Sequence, residues 1–342
     1  MRVMLTGATG FVGSHAAAAL LASGCEVRAL VRDPAKLERI FQERGLAAPQ
    51  AVPGDVTDVE SVERAIDDCD AVVHTAAVVA MAAHRAQEVL DTNARGVDNV
   101  VGGAVRRGVP RIVYVSSASA LFDPARPVIT ADSPVVPGTN AYARSKGEAE
   151  LMVRRLQEQG APVRTVYPTG IVGPNDPGLS EANHALRVFV RDVVLLTSGG
   201  FQAVDVRDVA EIIHHLALQG EGAARYMAGG HNLNWLEIAD CIDAITGTRV
   251  RRVRMPGSLL RASGYVGDAL KRVWDFDFPL TAEGMIYATQ WQGADSSKTV
   301  EELGIRFRPP RETFAEAIAW MHRAGHVDAR FAGRLAQTGG AA

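Results

Sequence analysis

The sequence predicts an α/β fold, a doubly wound parallel sheet joined to a smaller, mostly helical lobe. Three observations carry this. From Arg2 to Tyr167, short apolar runs alternate with helical stretches, the pattern of βαβ units whose right-handed crossovers bury a parallel sheet on both faces. A glycine-rich turn directly follows the first run. After Pro168 the rhythm breaks at Pro174-Asn175-Asp176-Pro177-Gly178, a loop cluster, and from about Gly222 onward helices dominate.

Taken in order, Val3-Met4-Leu5 is the first strand and Phe11 to Ser23 an Ala/Leu-rich helix. Strands follow at Val27 to Val31, Ala51 to Pro53 and Ala71 to Val73. A long helical segment from about His84 to Arg107 leads to a fifth strand, Arg111 to Val115. A helix from Tyr142 to Gln159 precedes the strand Val163 to Tyr167, and a strand–helix signal returns at Ala203 to Leu218. The tail after Gly339 reads as frayed.

A chain of 342 residues is long for one core and suits two regions. Apolar residues at 47% and charged residues at 22% fit an ordinary soluble globular protein. A net charge of -3 leaves no basic footprint for nucleic acid, and the local run Arg249, Arg251, Arg252, Arg254 reads as a solvated face. Cys25, Cys69 and Cys241 match neither a disulfide framework nor a metal knuckle, so no metal is expected and a reducing cytoplasm fits. A first strand starting at Arg2 leaves no room for a signal peptide, and no apolar run nears the roughly 18 residues that span a bilayer. No membrane partner is expected.

The first strand runs into Thr6-Gly7-Ala8-Thr9-Gly10-Phe11-Val12-Gly13 and then a helix. Glycines permit a tight turn and a close approach of backbone to a pyrophosphate, and the helix N-terminus supplies free N–H groups and partial positive charge. Strand before and helix after are the context that a dinucleotide site requires. Strand two ends in Val31-Arg32, where an NAD site usually carries an acid for the ribose hydroxyls. Arg32, with Lys36, suits a 2′-phosphate, which favours NADP(H) over NAD(H); the alternative is that both are simply solvated. Asp33 opposes this if it points inward, but before Pro34 it can instead shape the turn. His74 reads as a strand-end structural histidine.

Tyr142 and Lys146, four residues apart, fall on one face of a helix. An ammonium beside a phenol lowers the phenol's pKa from about 10, so that it can pass a proton near neutral pH. Strand five ends in Val115-Ser116-Ser117-Ala118-Ser119, whose hydroxyls can hydrogen-bond a carbonyl oxygen.

The G-x-x-G-x-x-G turn, with Thr6 and Y-x-x-x-K, resembles the extended short-chain dehydrogenase/reductase family, and Val-Arg-Asp-Pro at the end of strand two resembles its dihydroflavonol-reductase-like branch. The resemblance implies a Rossmann-type sheet, with Ser117 (or Ser119 as the fallback), Tyr142 and Lys146 as the catalytic set. It implies that Asp55 and Val56 meet the adenine, although Asp55 also reads as a cap or turn residue. Thr75, Ala76 and Ala77 would be small because the cofactor passes close, and Asn93 would lie near the nicotinamide unless it caps a helix. Tyr167-Pro168-Thr169-Gly170-Ile171-Val172-Gly173-Pro174 is similar to the family's R-P-x-x-V-x-G-P segment, whose backbone meets the carboxamide; Tyr167 stands where the arginine is usual. Val204 to Ala210 and Asp295 to Lys298 look like further family landmarks.

These features place the dinucleotide-binding domain at residues 1–170 and 200–218, and the substrate domain at 171–199 and 219–330. The activity implied is an NADP(H)-dependent interconversion of carbonyl and alcohol on a small organic molecule, as in dihydroflavonol reductases or hydroxysteroid dehydrogenases. A nucleotide-sugar epimerase with tightly held NAD is the first alternative, although Val31 stands where epimerases carry an acid. A dehydratase would need an Asp-Glu pair where this chain has Ala118-Ser119. A non-catalytic NADP sensor would be expected to lose Tyr142 and Lys146. Family habit also suggests a homodimer through the Tyr142 helix and the long helix before it. Trp235, Tyr265, Trp274, Phe276, Phe278 and Trp291 are either pocket-lining or core, and Arg308, before Pro309-Pro310, either meets an anionic group or, the safer reading, is exposed.

Overall fold

The computed structural model describes residues 1–78, 86–126, 128–136, 138, 141–270 and 282–337, without the side chains of 86–89, 91, 141–142, 268–270 and 282–283. Six strands form early: β1 (Arg2–Thr6), β2 (Glu26–Val31), β3 (Gln50–Pro53), β4 (Ala71–His74), β5 (Arg111–Val115) and β6 (Val163–Pro168). Between them lie α1 (Phe11–Ala22), α2 (Pro34–Glu43), α3 (Val59–Ile66), α4 (Ala86–Val97), α5 (Gly103–Arg106) and α6 (Ala141–Glu158). A π-helical segment, Asp98–Gly102, runs on from α4 into α5 with helical backbone at both junctions, so the single long helix that the sequence predicts is continuous and locally widened.

All these strands pair in parallel, and strand order reverses between β1 and β4. Alternate residues face opposite sides. Val3 and Leu5 pack with Leu20, Phe41 and the later helix at 206–218, whereas Met4 packs with Val62, Val101 and Val153. Hydrophobic layers on both faces explain why these strands read as continuous apolar runs.

Beyond Pro168 come β7 (Gly170–Val172), α7 (Glu181–Arg191), β8 (Val194–Leu196), β9 (Gly200–Asp205) and α8 (Val206–Leu218). They are followed by β10 (Ala224–Ala228), β11 (His231–Asn234), α9 (Trp235–Thr246), β12 (Arg252–Arg254), α10 (Gly257–Leu270), α11 (Ala282–Gln290), α12 (Ser297–Leu303), α13 (Pro310–Arg323) and α14 (Ala329–Ala332). Two corrections to the sequence reading follow. β10, inside the stretch assigned to the helical lobe, pairs in parallel with β6 and completes a seven-stranded sheet. β9 does not rejoin that sheet; it pairs with β7 and β11 in a separate three-stranded one, and only α8 returns to pack against α1. No helix among the described residues is long and apolar enough to cross a membrane.

Two buried carboxylates lock the lobes together. Asp205 caps α8 through Arg207 N at 2.9 Å and accepts from Thr313 Oγ1 at 2.8 Å on α13. Asp208, fully buried, accepts from Arg308 N at 2.8 Å and pairs with the Arg308 guanidinium. Arg308 is therefore a half-buried structural partner, not the exposed residue its sequence context suggests.

Two histidines are buried without charge. His15 Nε2 donates to Pro174 O at 3.0 Å, and burial, helped by the Arg44 guanidinium, holds the ring down at about 4. Burial and the Lys146 ammonium hold His74 at about 3.

An imidazole that stays neutral in the fold but charges when unfolded favours unfolding over the pH range between its two pKa values. Stability to urea should thus be flat above about pH 6.5 and fall by roughly 3 kcal/mol for each of the two histidines by pH 4. A His15→Asn/His74→Asn protein should show a shallower acid slope; an equal slope would assign the effect elsewhere. Arg308→Met should cost roughly 1.5–3 kcal/mol in a urea melt, because it strands the Asp208 carboxylate, and adding Asp208→Asn should recover part of that.

Candidate active site

The residues singled out by the sequence gather at the C-terminal ends of the parallel strands, beside the reversal of strand order where such sheets hold ligands. Gly7 follows β1 with φ of +80°, a conformation that favours glycine. A Cβ on Gly7 would sit 2.5 Å from Thr75 Oγ1 and 2.8 Å from Ala76 N, and one on Gly13 would strike the Gly7 carbonyl. These glycines let α1 descend onto the sheet. Gly10 is exposed, and α1 has no side-chain cap, unlike α2, α3 and α8, each capped by an aspartate. The first-turn N–H groups at Phe11, Val12 and Gly13 are thus available to an anion, with Thr9 half-buried beside them. A dinucleotide's pyrophosphate fits this cradle.

Thr6 is the buried joint beneath it. Its Oγ1 lies 2.7 Å from His74 Nδ1 and accepts from Ala76 N at 3.3 Å, while Thr75 Oγ1 donates to Thr6 O at 2.8 Å. Strand ends β1 and β4 are tied together, with Thr75 and Ala76 half-buried and Ala77 exposed at the rim.

At the end of β2, Val31 is buried, and Arg32 and Lys36 are exposed. Asp33 does not point inward: it is exposed, and its carboxylate accepts from Lys36 N at 3.0 Å and caps α2. Asp55 Oδ1 accepts from Thr57 N and Thr57 Oγ1, both at 2.8 Å, the turn role that the sequence allowed. Its other oxygen lies 3.9 Å from Arg32 Nε. Val56 is half-buried, and its carbonyl accepts from Asn99 Nδ2 at 2.9 Å.

Asn93 caps no helix. It lies within α4, buried, and clamps two elements: its Oδ1 accepts from Val78 N at 2.8 Å, and its Nδ2 donates to Val78 O at 3.1 Å and to Ser145 Oγ at 3.0 Å. Ser145 is on α6, so Asn93 pins the loop after β4 to the helix bearing Lys146.

Ser117, half-buried just past β5, caps a short 3₁₀ turn, Ala118–Ala120. Its Oγ accepts from Ser119 N at 3.2 Å and from Ser119 Oγ at 2.8 Å. With two donors from Ser119 already accepted, the Ser117 hydroxyl keeps its own proton to donate elsewhere. Lys146 is buried on α6, its Nζ donating to Val115 O at 3.4 Å and lying 5.9 Å from the Tyr114 ring centroid. Burial brings this ammonium down to about 8, against the opposing pull of Glu150. Tyr142 is the second residue of α6, one turn before Lys146; its side chain lies outside the described residues.

Pro168 ends β6, and Thr169 turns toward β10, donating from N to Ala228 O at 3.2 Å and from Oγ1 to Gly229 O at 2.9 Å. Gly170 and Ile171 open β7, half-buried. Of the aromatic candidates, Trp235 is core, its Nε1 donating to Ala288 O at 2.9 Å, and Tyr265 is exposed. Trp291 is buried and lies against Phe122 and Tyr287, whose rings stack at 4.1 Å, close in sequence to the Ser117 turn. Trp274, Phe276 and Phe278 lie outside the described residues.

Sequence reasoning did not single out one cluster directly behind Lys146. Glu150 is fully buried on α6, and its Oε1 accepts from Arg154 Nε at 2.9 Å and from the Tyr167 hydroxyl. Arg154 Nη2 reaches Tyr167 Oη at 3.4 Å, so a guanidinium from α6 meets the phenol at position 167. The signal was present as the four-residue spacing of Lys146, Glu150 and Arg154.

Comparison with known proteins agrees with this geometry. Residues 3–229 match the model of the NAD dependent epimerase/dehydratase family. The chain is 32% identical to sterol demethylase protein B of Methylococcus capsulatus over 343 residues, covering 96% of this chain and 100% of that protein. It is 28% identical to a putative dihydroflavonol 4-reductase of Synechocystis, covering 94% of this chain and 95% of the relative. Among solved structures, gox2253 superposes with a TM-score of 0.79 at 27% identity, over 96% of this chain and 99% of that one. WbmH of Bordetella bronchiseptica, crystallised with NAD+, shares the fold at 24% identity and a TM-score of 0.72, over 95% of this chain and 99% of that one. The sheet, the uncapped glycine turn and these matches together establish that the chain belongs to the NAD-dependent epimerase/dehydratase family, the extended short-chain dehydrogenases/reductases.

Proposed function

We propose that this protein is an NADP(H)-dependent oxidoreductase that interconverts a carbonyl and an alcohol on an apolar small molecule. The observation that carries the proposal is the buried ammonium of Lys146, one helical turn from Tyr142 and at the end of the strand that presents Ser117. Gly7, Thr9, Gly10, Phe11, Val12 and Gly13 would hold the pyrophosphate. Asp55, Val56, Thr75, Ala76, Ala77 and Asn93 would flank the adenine-to-nicotinamide path, and Pro168, Thr169, Gly170 and Ile171 its far end. When bound, the dinucleotide supplies or removes hydride at the carbon. Ser117 donates a hydrogen bond to the substrate oxygen, and Tyr142 gives that oxygen its proton, or takes it in reverse. Lys146 stabilises the phenolate form of Tyr142 and stands ready to bind the nicotinamide ribose.

NADP(H) is favoured by the residues at the end of β2. Val31 is apolar, Asp33 is engaged in capping α2, and Arg32 stands exposed with Lys36 nearby. An apolar substrate is supported by the Phe122–Tyr287–Trp291 stack beside the Ser117 turn, and by relatives named as dihydroflavonol and cinnamoyl-CoA reductases and a 3-beta-hydroxysteroid dehydrogenase.

The test is NADPH oxidation against a panel of ring ketones and aldehydes. Tyr142→Phe should reduce turnover by roughly 10²–10⁴-fold with cofactor affinity nearly intact, whereas Lys146→Met should damage both. Near-native turnover in Tyr142→Phe would mean the proton comes from elsewhere, and NAD that co-purifies tightly would point instead to an epimerase. Arg32→Ala should erode the NADP-over-NAD preference by about tenfold, the low end for a charge-assisted contact, since the guanidinium stands in solvent. An unchanged preference would show that Arg32 does not read the phosphate.

A further inference from the structure

Two elements, α6 and β6, bury one charged cluster behind Lys146. On α6, Lys146, Glu150 and Arg154 follow one another at four-residue intervals along one face, so each is the neighbour of the next. The Glu150 side chain is fully buried, and Oε1 takes both of its donors, the Tyr167 hydroxyl from β6 and Arg154 Nε. Its second oxygen, Oε2, is buried and has no hydrogen-bond partner among the described residues. A buried carboxylate oxygen without a donor is costly and asks for an electrostatic reason. The next charge toward the candidate site on that helix face is the Lys146 ammonium.

We propose that Glu150 is a positioning residue for Lys146: its carboxylate, anchored by Tyr167 and Arg154, keeps the buried ammonium charged and held at the end of β5. The inference rests on the reading of Lys146 as one of the proton-transfer pair. Among the described residues, the other ionisable groups around Lys146 offer no carboxylate; the Tyr142 side chain lies outside them. His74 from β4 is buried and neutral, Tyr114 from β5 presents its ring face, and Asn93 from α4, an uncharged amide, bonds Val78 and the adjacent Ser145. The Tyr167 phenol, with its pKa raised by burial and by Glu150, stays a proton donor to the carboxylate. Burial pulls the Lys146 pKa down to about 8, and the opposing contribution comes from Glu150. Without that charge, desolvation acts alone and the amine loses its proton at a lower pH. The form that serves catalysis is the charged one, so its benefit is lost as pH rises through the Lys146 pKa.

Competitive acetylation of the full-length protein, read on the peptide carrying Lys146, measures its ionisation midpoint without any substrate. Glu150→Gln should lower that midpoint by about one pH unit, and the alkaline limb of NADPH-linked turnover should descend with it. Glu150→Asp, which keeps the charge, should restore most of the shift. Tyr167→Phe removes one anchor but leaves the carboxylate and its Arg154 partner, so the midpoint should fall by less than in Glu150→Gln. If Glu150→Gln does not fold, Glu150→Gln/Arg154→Met removes the buried pair together, and a smaller fall is expected. An unmoved midpoint in a folded Glu150→Gln or paired variant overturns the proposal, as does an equal fall in Tyr167→Phe. A lowered midpoint in a protein with no carbonyl turnover would uphold this inference and sink the oxidoreductase reading; turnover with an unmoved midpoint would do the reverse.

Discussion

The backbone of Gly13 rests directly against the carbonyl of Gly7, and both face the Thr75 hydroxyl with no room for a Cβ. Much of the site depends on that close approach. It draws the start of α1 down to the edge of the sheet, so that the first-turn N–H groups meet the crevice instead of a capping side chain. Thr6, directly beneath, joins the ends of β1 and β4 through His74 and Ala76. Asn93 then ties the loop after β4 to α6 through Val78 and Ser145. One continuous run of short contacts therefore connects the phosphate cradle to the helix that carries Lys146. The geometry at one end of the crevice is fixed by the same atoms as the geometry at the other.

The second organising feature is low polarity around a few charges. Lys146, Glu150, Asp205 and Asp208 are all removed from water, yet they are satisfied in different ways. Asp205 and Asp208 meet arginines and backbone N–H groups and serve the junction between lobes. Their ion pairs are structural, since replacing one partner strands the other. Around Lys146 the compensation is incomplete, with burial lowering the ammonium's pKa and Glu150 opposing it. Incomplete compensation is what leaves a group titratable near neutrality, and perturbations of that kind cluster at functional sites.

Much of this was legible in the sequence because particular backbone geometries demand particular residues nearby in the chain. The glycine turn is readable because only glycine tolerates the Gly7–Gly13–Thr75 approach, and the Tyr142–Lys146 spacing because a helix repeats every few residues. Asp33 could be placed before Pro34 but not aimed, and its capping of α2 appears only in three dimensions. Contacts between distant parts of the chain left no such mark. Arg308 and Asp208 stand 100 residues apart, and an arginine before two prolines looks solvent-exposed until its partner is seen. Ala224–Ala228 has little of the β-branched character of a buried strand and is strand-like chiefly because β6 offers an edge. Glu150 belongs to a helix whose charges, read alone, look like a solvated face.

The position of β10 also bears on how the molecule assembles. After β6 the chain leaves the main sheet, builds β7, α7, β8 and β9, returns with α8, and only then lays β10 along β6. The matched family segment, residues 3–229, closes at this same strand. During synthesis the first six strands can emerge and pair while one side of β6 still presents unpaired N–H and C=O groups. That open border persists until more than fifty further residues have left the ribosome, roughly the interval from Pro168 to Ala224. A partly made chain is thus exposed to pairing with a neighbour at the strand that leads into the cofactor crevice, and early collapse of the intervening lobe is what would shield it.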